Sequence, residues 1–77
     1  MRKKTKKKNN HYVYMLESKN GKLYTGYTTD LEKRMEAHKQ GKGAKFTRAF
    51  GFKELRYHEK FSNKIKAMQR EAEIKKL

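Results

Sequence analysis

Asn20-Gly21 constrains this chain more than any other pair, because it sits between two short runs whose composition is that of strands. Tyr12-Val13-Tyr14-Met15-Leu16 is aromatic and β-branched, as a buried strand should be. Asn and Gly both tolerate positive φ, so Ser18-Lys19-Asn20-Gly21 is predicted to make the tight turn of a hairpin. A second strand, Lys22 to Tyr27, then returns antiparallel to the first. The ordered part of the chain is predicted to begin at His11.

Helical spacing follows the hairpin. Thr29-Asp30-Leu31-Glu32 has the form of a capping box, with Thr29 as N-cap and Glu32 reaching back. A helix from about Asp30 to Gln40 is predicted, closed by Gly41 as a left-handed cap. Its inward stripe is Leu31, Met35 and His38, and Arg34 shares the His38 face four residues earlier. Residues 41–51, GKGAKFTRAFG, read as a glycine- and lysine-rich loop. That loop lacks G-x-x-x-x-G-K-[ST], which excludes nucleotide-triphosphate binding through a phosphate loop. A third strand, Glu54 to Glu59, alternates Leu55 and Tyr57 with polar neighbours. Ser62 is placed to cap a last helix from Asn63 onward, with Ile65, Ala67, Met68, Ala72 and Ile74 as its more apolar positions. Helical periodicity is still running at Leu77, so the helix either frays there or continues in a longer natural protein. The order β-β-α-β-α predicts a mixed α/β chain of the α+β kind, a small three-stranded antiparallel sheet flanked by helices.

Seventy-seven residues, 34% of them hydrophobic, suffice for one thin core, so residues 11–77 are expected to form a single domain. Five Tyr and four Phe should carry much of the packing, since an aromatic side chain buries on the order of 150–250 Å². Cysteine is absent, which excludes disulfides and thiolate metal sites. The longest apolar run, Tyr12 to Leu16, is far short of the ~20 residues that span a bilayer. No apolar segment follows the basic N-terminus, so no ordinary secretory signal is expected and a cytoplasmic protein is. Lys and Arg number 22 against 8 Asp and Glu, a formal charge of +14. The first eight residues, MRKKTKKK, hold six of those positives; without them 16 basic face 8 acidic residues, still +8. Residues 1–10 are predicted to be a disordered basic tail, serving either solubility or non-specific attraction to phosphate. The polyanion implied by the remaining charge is DNA or RNA. A membrane surface fits less well, because no segment pairs a basic face with a broad apolar one.

The chemistry-bearing residues follow a recognisable order. Tyr12-Val13-Tyr14 is followed ten residues on by Tyr24-Thr25-Gly26, then by Arg34 and His38 on the first helix and Glu71 on the last. In this the chain resembles the GIY-YIG nucleases, most of all their short single-domain bacterial members of the UPF0213 type. It is similar too to the catalytic module of the excision-repair nuclease. The match runs from about His11 to Leu77, with Tyr12, Val13 and Thr25 departing from the eponymous letters. Tyr27 stands where some relatives carry a Lys.

That resemblance implies a metal-dependent endonuclease hydrolysing DNA phosphodiester bonds, on branched, nicked or damaged DNA. Glu71 would be the one protein ligand of a weakly held Mg²⁺ or Mn²⁺ ion, a role that suits a cation keeping most of its waters. The plain alternative for Glu71 is an ion pair with Lys75 at i+4. Arg34 would steady the scissile phosphate with its planar fork of donors. Tyr14 or Tyr24 would hold phosphate or water, and either Tyr24 or His38 would take the proton; histidine, with an ordinary pKa near ~6.5, is the better poised. Gly26 would permit close backbone approach at a strand end. Lys42, Lys45 and Arg48 would position phosphates without reading bases. No base-reading module is visible, so substrate shape or a protein partner would have to aim such a domain. The rival is a non-catalytic DNA-binding or RNA/ribosome-associated protein that retains the fold.

Overall fold

Burial on both faces places β1 (His11–Glu17) at the centre of the sheet in the computed structural model, which describes residues 10–76. It pairs antiparallel with β2 (Leu23–Thr28) on one side and β3 (Glu54–Phe61) on the other, giving the order β2-β1-β3. Helices α1 (Leu31–Lys39), α2 (Lys45–Phe50) and α3 (Lys64–Lys75) complete the chain. The expected three-stranded α+β fold is therefore present, with α2 added between α1 and β3. The basic tail expected over residues 1–10 lies, except for Asn10, outside the described residues. Among the described residues no helix is long and apolar enough to cross a membrane.

Alternation along β1 divides the interior into two clusters. Val13 packs with Ala67 and Ile74 of α3, backed by Met15, Tyr27 and Phe61. Tyr14 and Leu16, on the opposite face, pack with Met35 of α1 and with Tyr24, Phe46, Phe52 and Leu55. Each cluster is small, and the sheet between them serves both. On the α3 side, Arg70 adds a forked pair: its Nε donates to both Glu59 carboxylate oxygens at 3.1 Å, locking helix to strand.

Several local expectations change. Gly21 has φ 85° and donates its N–H to the Ser18 carbonyl at 3.0 Å, while Asn20 uses its side chain to accept from the Ser18 hydroxyl. Asp30, not Thr29, caps α1: its carboxylate accepts from the Lys33 N–H at 3.1 Å. Thr28 sets this up, because its hydroxyl accepts the Asp30 N–H at 3.1 Å and turns the chain. The Gly41 cap holds as expected at φ 78°, with Lys42 N–H on Ala37 C=O and Gly41 N–H on His38 C=O, the Schellman pattern. Asn63, not Ser62, caps α3, its side chain accepting from Ile65 and Lys66.

The presumed loop 41–51 contains α2, held by Phe46 and Thr47 packing inward. In β3 the register shifts: Leu16 faces Leu55 but Met15 faces Tyr57, leaving Arg56 as an extra residue. That bulge puts Leu55 and Tyr57 on opposite faces, and Tyr57 is exposed. Ile65 and Ala72 of α3 face solvent, so its inward stripe is Ala67, Glu71 and Ile74.

Gly21→Ala isolates the turn's backbone requirement, since an added Cβ meets nothing within 4 Å. Urea unfolding should show a loss of about 1–2 kcal/mol from the left-handed conformation alone.

Candidate active site

Tyr14 stands directly across from Gly26 in the β1–β2 register. A Cβ at Gly26 would lie 2.6 Å from the tyrosine Cζ, so the glycine clears the path of the ring across β2. Its use here is space for an aromatic side chain, in place of the close backbone approach expected from the sequence. The Tyr14 hydroxyl reaches His38 Nε2 at 2.8 Å, and His38 Nδ1 lies 2.8 Å from Thr47 Oγ1. Thr47 in turn donates to the Ala44 carbonyl at 3.2 Å. Tyr14, His38 and Thr47 are all buried, at 1%, 0% and 2% exposure.

Aromatic rings enclose this chain of bonds. Tyr24 meets His38 edge-on at 5.8 Å and is itself stacked on Phe46 at 5.1 Å. Phe52 stacks against His38 at 6.5 Å. Gly43 closes the remaining side, because a Cβ there would lie 2.6 Å from His38 Nδ1. Four of the residues singled out in the sequence, Tyr14, Tyr24, Gly26 and His38, thus come together. Thr47, Gly43, Phe46 and Phe52 complete the site and carried no recognised signal, since they lie in or beside the segment taken for a loop. The spacing Phe46…Phe50, at i and i+4, is the helical signal that was there to be found.

Electrostatics at the centre are set first by burial. Burial pushes the Tyr14 hydroxyl up to about 12; Tyr24 adds to this, Arg34 opposes it, and Glu71 adds again. Burial likewise lowers the His38 pKa, and the Arg34 positive charge lowers it further. At neutral pH the centre is a protonated tyrosine beside a neutral histidine.

Arg34 and Glu71 bring charge to the same hydroxyl from helices packed on opposite faces of the sheet. Glu71 has a side chain 19% exposed and pairs with Lys75 at 3.1 Å. Its inward placement and its i+4 ion pair therefore coexist. Arg34 is half-buried and makes no ion pair among the described residues, and it borders an open groove of about 500 Å³ with Lys33 and Thr28. Among the described residues no three His, Cys, Asp or Glu gather to hold a metal. The donor set fits only a cation that keeps its water shell around a single carboxylate, as Mg²⁺ does. Lys42, Lys45 and Arg48 are exposed. The latter two lie on α2, each next to a residue of the enclosure, Phe46 and Thr47.

The sheet thus carries the paired tyrosines, α1 the arginine and histidine, and α3 the glutamate, in the order by which the sequence resembles a nuclease domain. The chain belongs to the GIY-YIG family, whose catalytic domain matches residues 10–77. It is 54% identical to a UPF0213 protein of Bacillus pumilus over 88% of this chain and 69% of that one. A UPF0213 protein of Natronomonas pharaonis is 52% identical over 87% of this chain and 79% of its own length. Among solved structures, the solution NMR structure of the UPF0213 protein BH0048 from Bacillus halodurans is similar, with 51% identity and a TM-score of 0.56. That likeness covers 88% of this chain and 72% of the other.

Stability should depend on pH through the buried pair. His38 titrates lower folded than unfolded, so the unfolded chain takes up more protons and stability falls as pH drops below ~6.5. Tyr14 titrates higher folded, so the unfolded chain loses its proton first and stability falls again above ~10. Thermal unfolding from pH 5 to 11 should show a plateau between these limits. His38→Gln should flatten its acid side.

Proposed function

We propose that this chain is a divalent-metal-dependent endonuclease that hydrolyses DNA phosphodiester bonds, acting in the cytoplasm on nicked, branched or damaged DNA. The observation that supports it best is the buried Tyr14–His38 hydrogen bond, at whose tyrosine hydroxyl the Arg34 positive charge and the Glu71 negative charge both act. Arg70, by contrast with Arg34, is paired with Glu59. Membership of a nuclease family makes nucleic acid the coarse substrate class, and the net charge agrees.

In this proposal the Arg34 guanidinium binds non-bridging oxygens of the scissile phosphate and holds them more tightly as charge builds in the transition state. Glu71 would hold Mg²⁺ or Mn²⁺, which when bound supplies further charge neutralisation at those oxygens. Water attacks phosphorus and gives a proton to a base, while the bond to the sugar oxygen breaks and that oxygen takes up a proton from solvent to leave as a hydroxyl. His38 is buried with both nitrogens engaged, so it does not meet that water directly. Tyr24, partly exposed at the rim, is the base in this scheme. A phenol accepts a proton from water where a bound divalent cation offsets the phenolate charge, which is the chemistry the ion would supply. Lys42, Lys45 and Arg48 attract the backbone on either side. Substrate shape or a protein partner supplies the aim.

Nicking of supercoiled and branched DNA with Mg²⁺ or Mn²⁺ tests this directly. Glu71→Ala should abolish cleavage with the fold intact by circular dichroism, and Arg34→Ala should lower kcat by about 10²–10³. Salt-sensitive binding without metal-stimulated cleavage by the native chain would replace the enzyme with a non-catalytic binder.

Alanine at Lys42, Lys45 or Arg48 should weaken DNA binding uniformly across sequences. Each lost phosphate contact should reduce the slope of log K against log salt by about 1.

A further inference from the structure

We infer that Thr47 is a positioning residue whose hydroxyl holds His38 in the Nδ1–H tautomer, so that Nε2 accepts the Tyr14 proton. The catalytic consequence rests on the nuclease proposal; the tautomer does not.

The Thr47 hydroxyl has one hydrogen, and it goes to the Ala44 carbonyl at 3.2 Å. The same oxygen lies 2.8 Å from His38 Nδ1, where it is left to accept. Nδ1 therefore carries the ring hydrogen. A neutral imidazole has only one, so Nε2 is bare and receives the Tyr14 O–H across 2.8 Å. Gly43 closes against the Nδ1 edge, where even a Cβ would be 2.6 Å away, leaving Thr47 as the partner there. The Tyr14 hydroxyl thus points its hydrogen inward and presents lone pairs toward the side where Arg34 and Glu71 act on it. The opposite tautomer would donate from Nε2 to Tyr14 and turn the phenol hydrogen outward. It would exchange an acceptor for a donor on the side of the hydroxyl where the Arg34 and Glu71 charges act. Thr47 acts through His38 and touches no substrate.

Ring-nitrogen ¹⁵N NMR of the full chain reads the tautomer, with His38→Gln separating its signals from those of His11 and His58. The native protein should show Nδ1–H at His38. Thr47→Val, close in shape but without the hydroxyl, should shift His38 to Nε2–H. It should also lower kcat for DNA nicking about 10–100-fold with little change in KM, the scale of losing an orienting partner of a functional histidine. Thr47→Ser should restore both tautomer and rate. An Nε2–H signal in the native chain would overturn the inference even if the valine variant does not fold. So would Nδ1–H persisting in Thr47→Val, or an inverted tautomer with kcat unchanged. If the native chain cleaves nothing, the nuclease proposal fails on its own while the NMR result still decides the tautomer.

Discussion

The hydrogen bond between the Tyr14 hydroxyl and His38 Nε2 is the constraint around which half of this molecule is arranged. Both partners are fully buried, and a buried polar group left without its bond costs roughly 1–3 kcal/mol. Much of the local architecture meets that requirement. Gly26 gives the tyrosine ring room to cross β2, and Gly43 lets the chain close over the imidazole. Thr47 satisfies the second ring nitrogen, which brings α2 down onto α1. The bond thus fixes the position of an element that composition alone would leave as loop.

The two faces of the sheet have divided the work. On the α3 side the packing is conventional, Val13 on Ala67 and Ile74 with Arg70 forked onto Glu59. On the α1 side the interior is aromatic and polar at once, so the same rings that exclude water also hold the hydrogen-bonded chain. A chain with few aliphatic residues gains two things from this: tyrosine and histidine bury area, and their polar ends form hydrogen bonds shielded from solvent. Glu71 links the two halves. It sits on the conventional helix yet its charge is felt at Tyr14, so α3 must be docked correctly for the site to be complete.

Much of this could be read before the structure. The hairpin, the buried central strand, the Leu31, Met35 and His38 stripe and the Gly41 cap each rest on a single strong local preference, and each stands. What failed was decided by competition or by distance. Thr29 and Asp30, like Ser62 and Asn63, are adjacent residues able to cap, and the choice between them depends on where the preceding strand releases the chain. The bulge at Arg56 leaves no mark in the period-2 pattern, because a single inserted residue only moves Tyr57 to the other face. Helix α2 was hidden because glycine and lysine suggest a loop, whereas Phe46 and Thr47 hold it through contacts with Tyr24 and His38, far off in sequence.

The residues that make the site fall into two kinds, and the difference governs what mutations can reveal. Tyr14 and His38 are core residues, so removing either opens a cavity and strands a polar partner. Loss of activity in such variants would not by itself establish a chemical role. Arg34 and Glu71 keep partial access to solvent and lie at the margin of the core, so their loss should leave the fold standing. Function is therefore best interrogated at the charged margin. The buried centre calls for substitutions that keep shape and change one hydrogen bond, because any larger change there disturbs the fold as well.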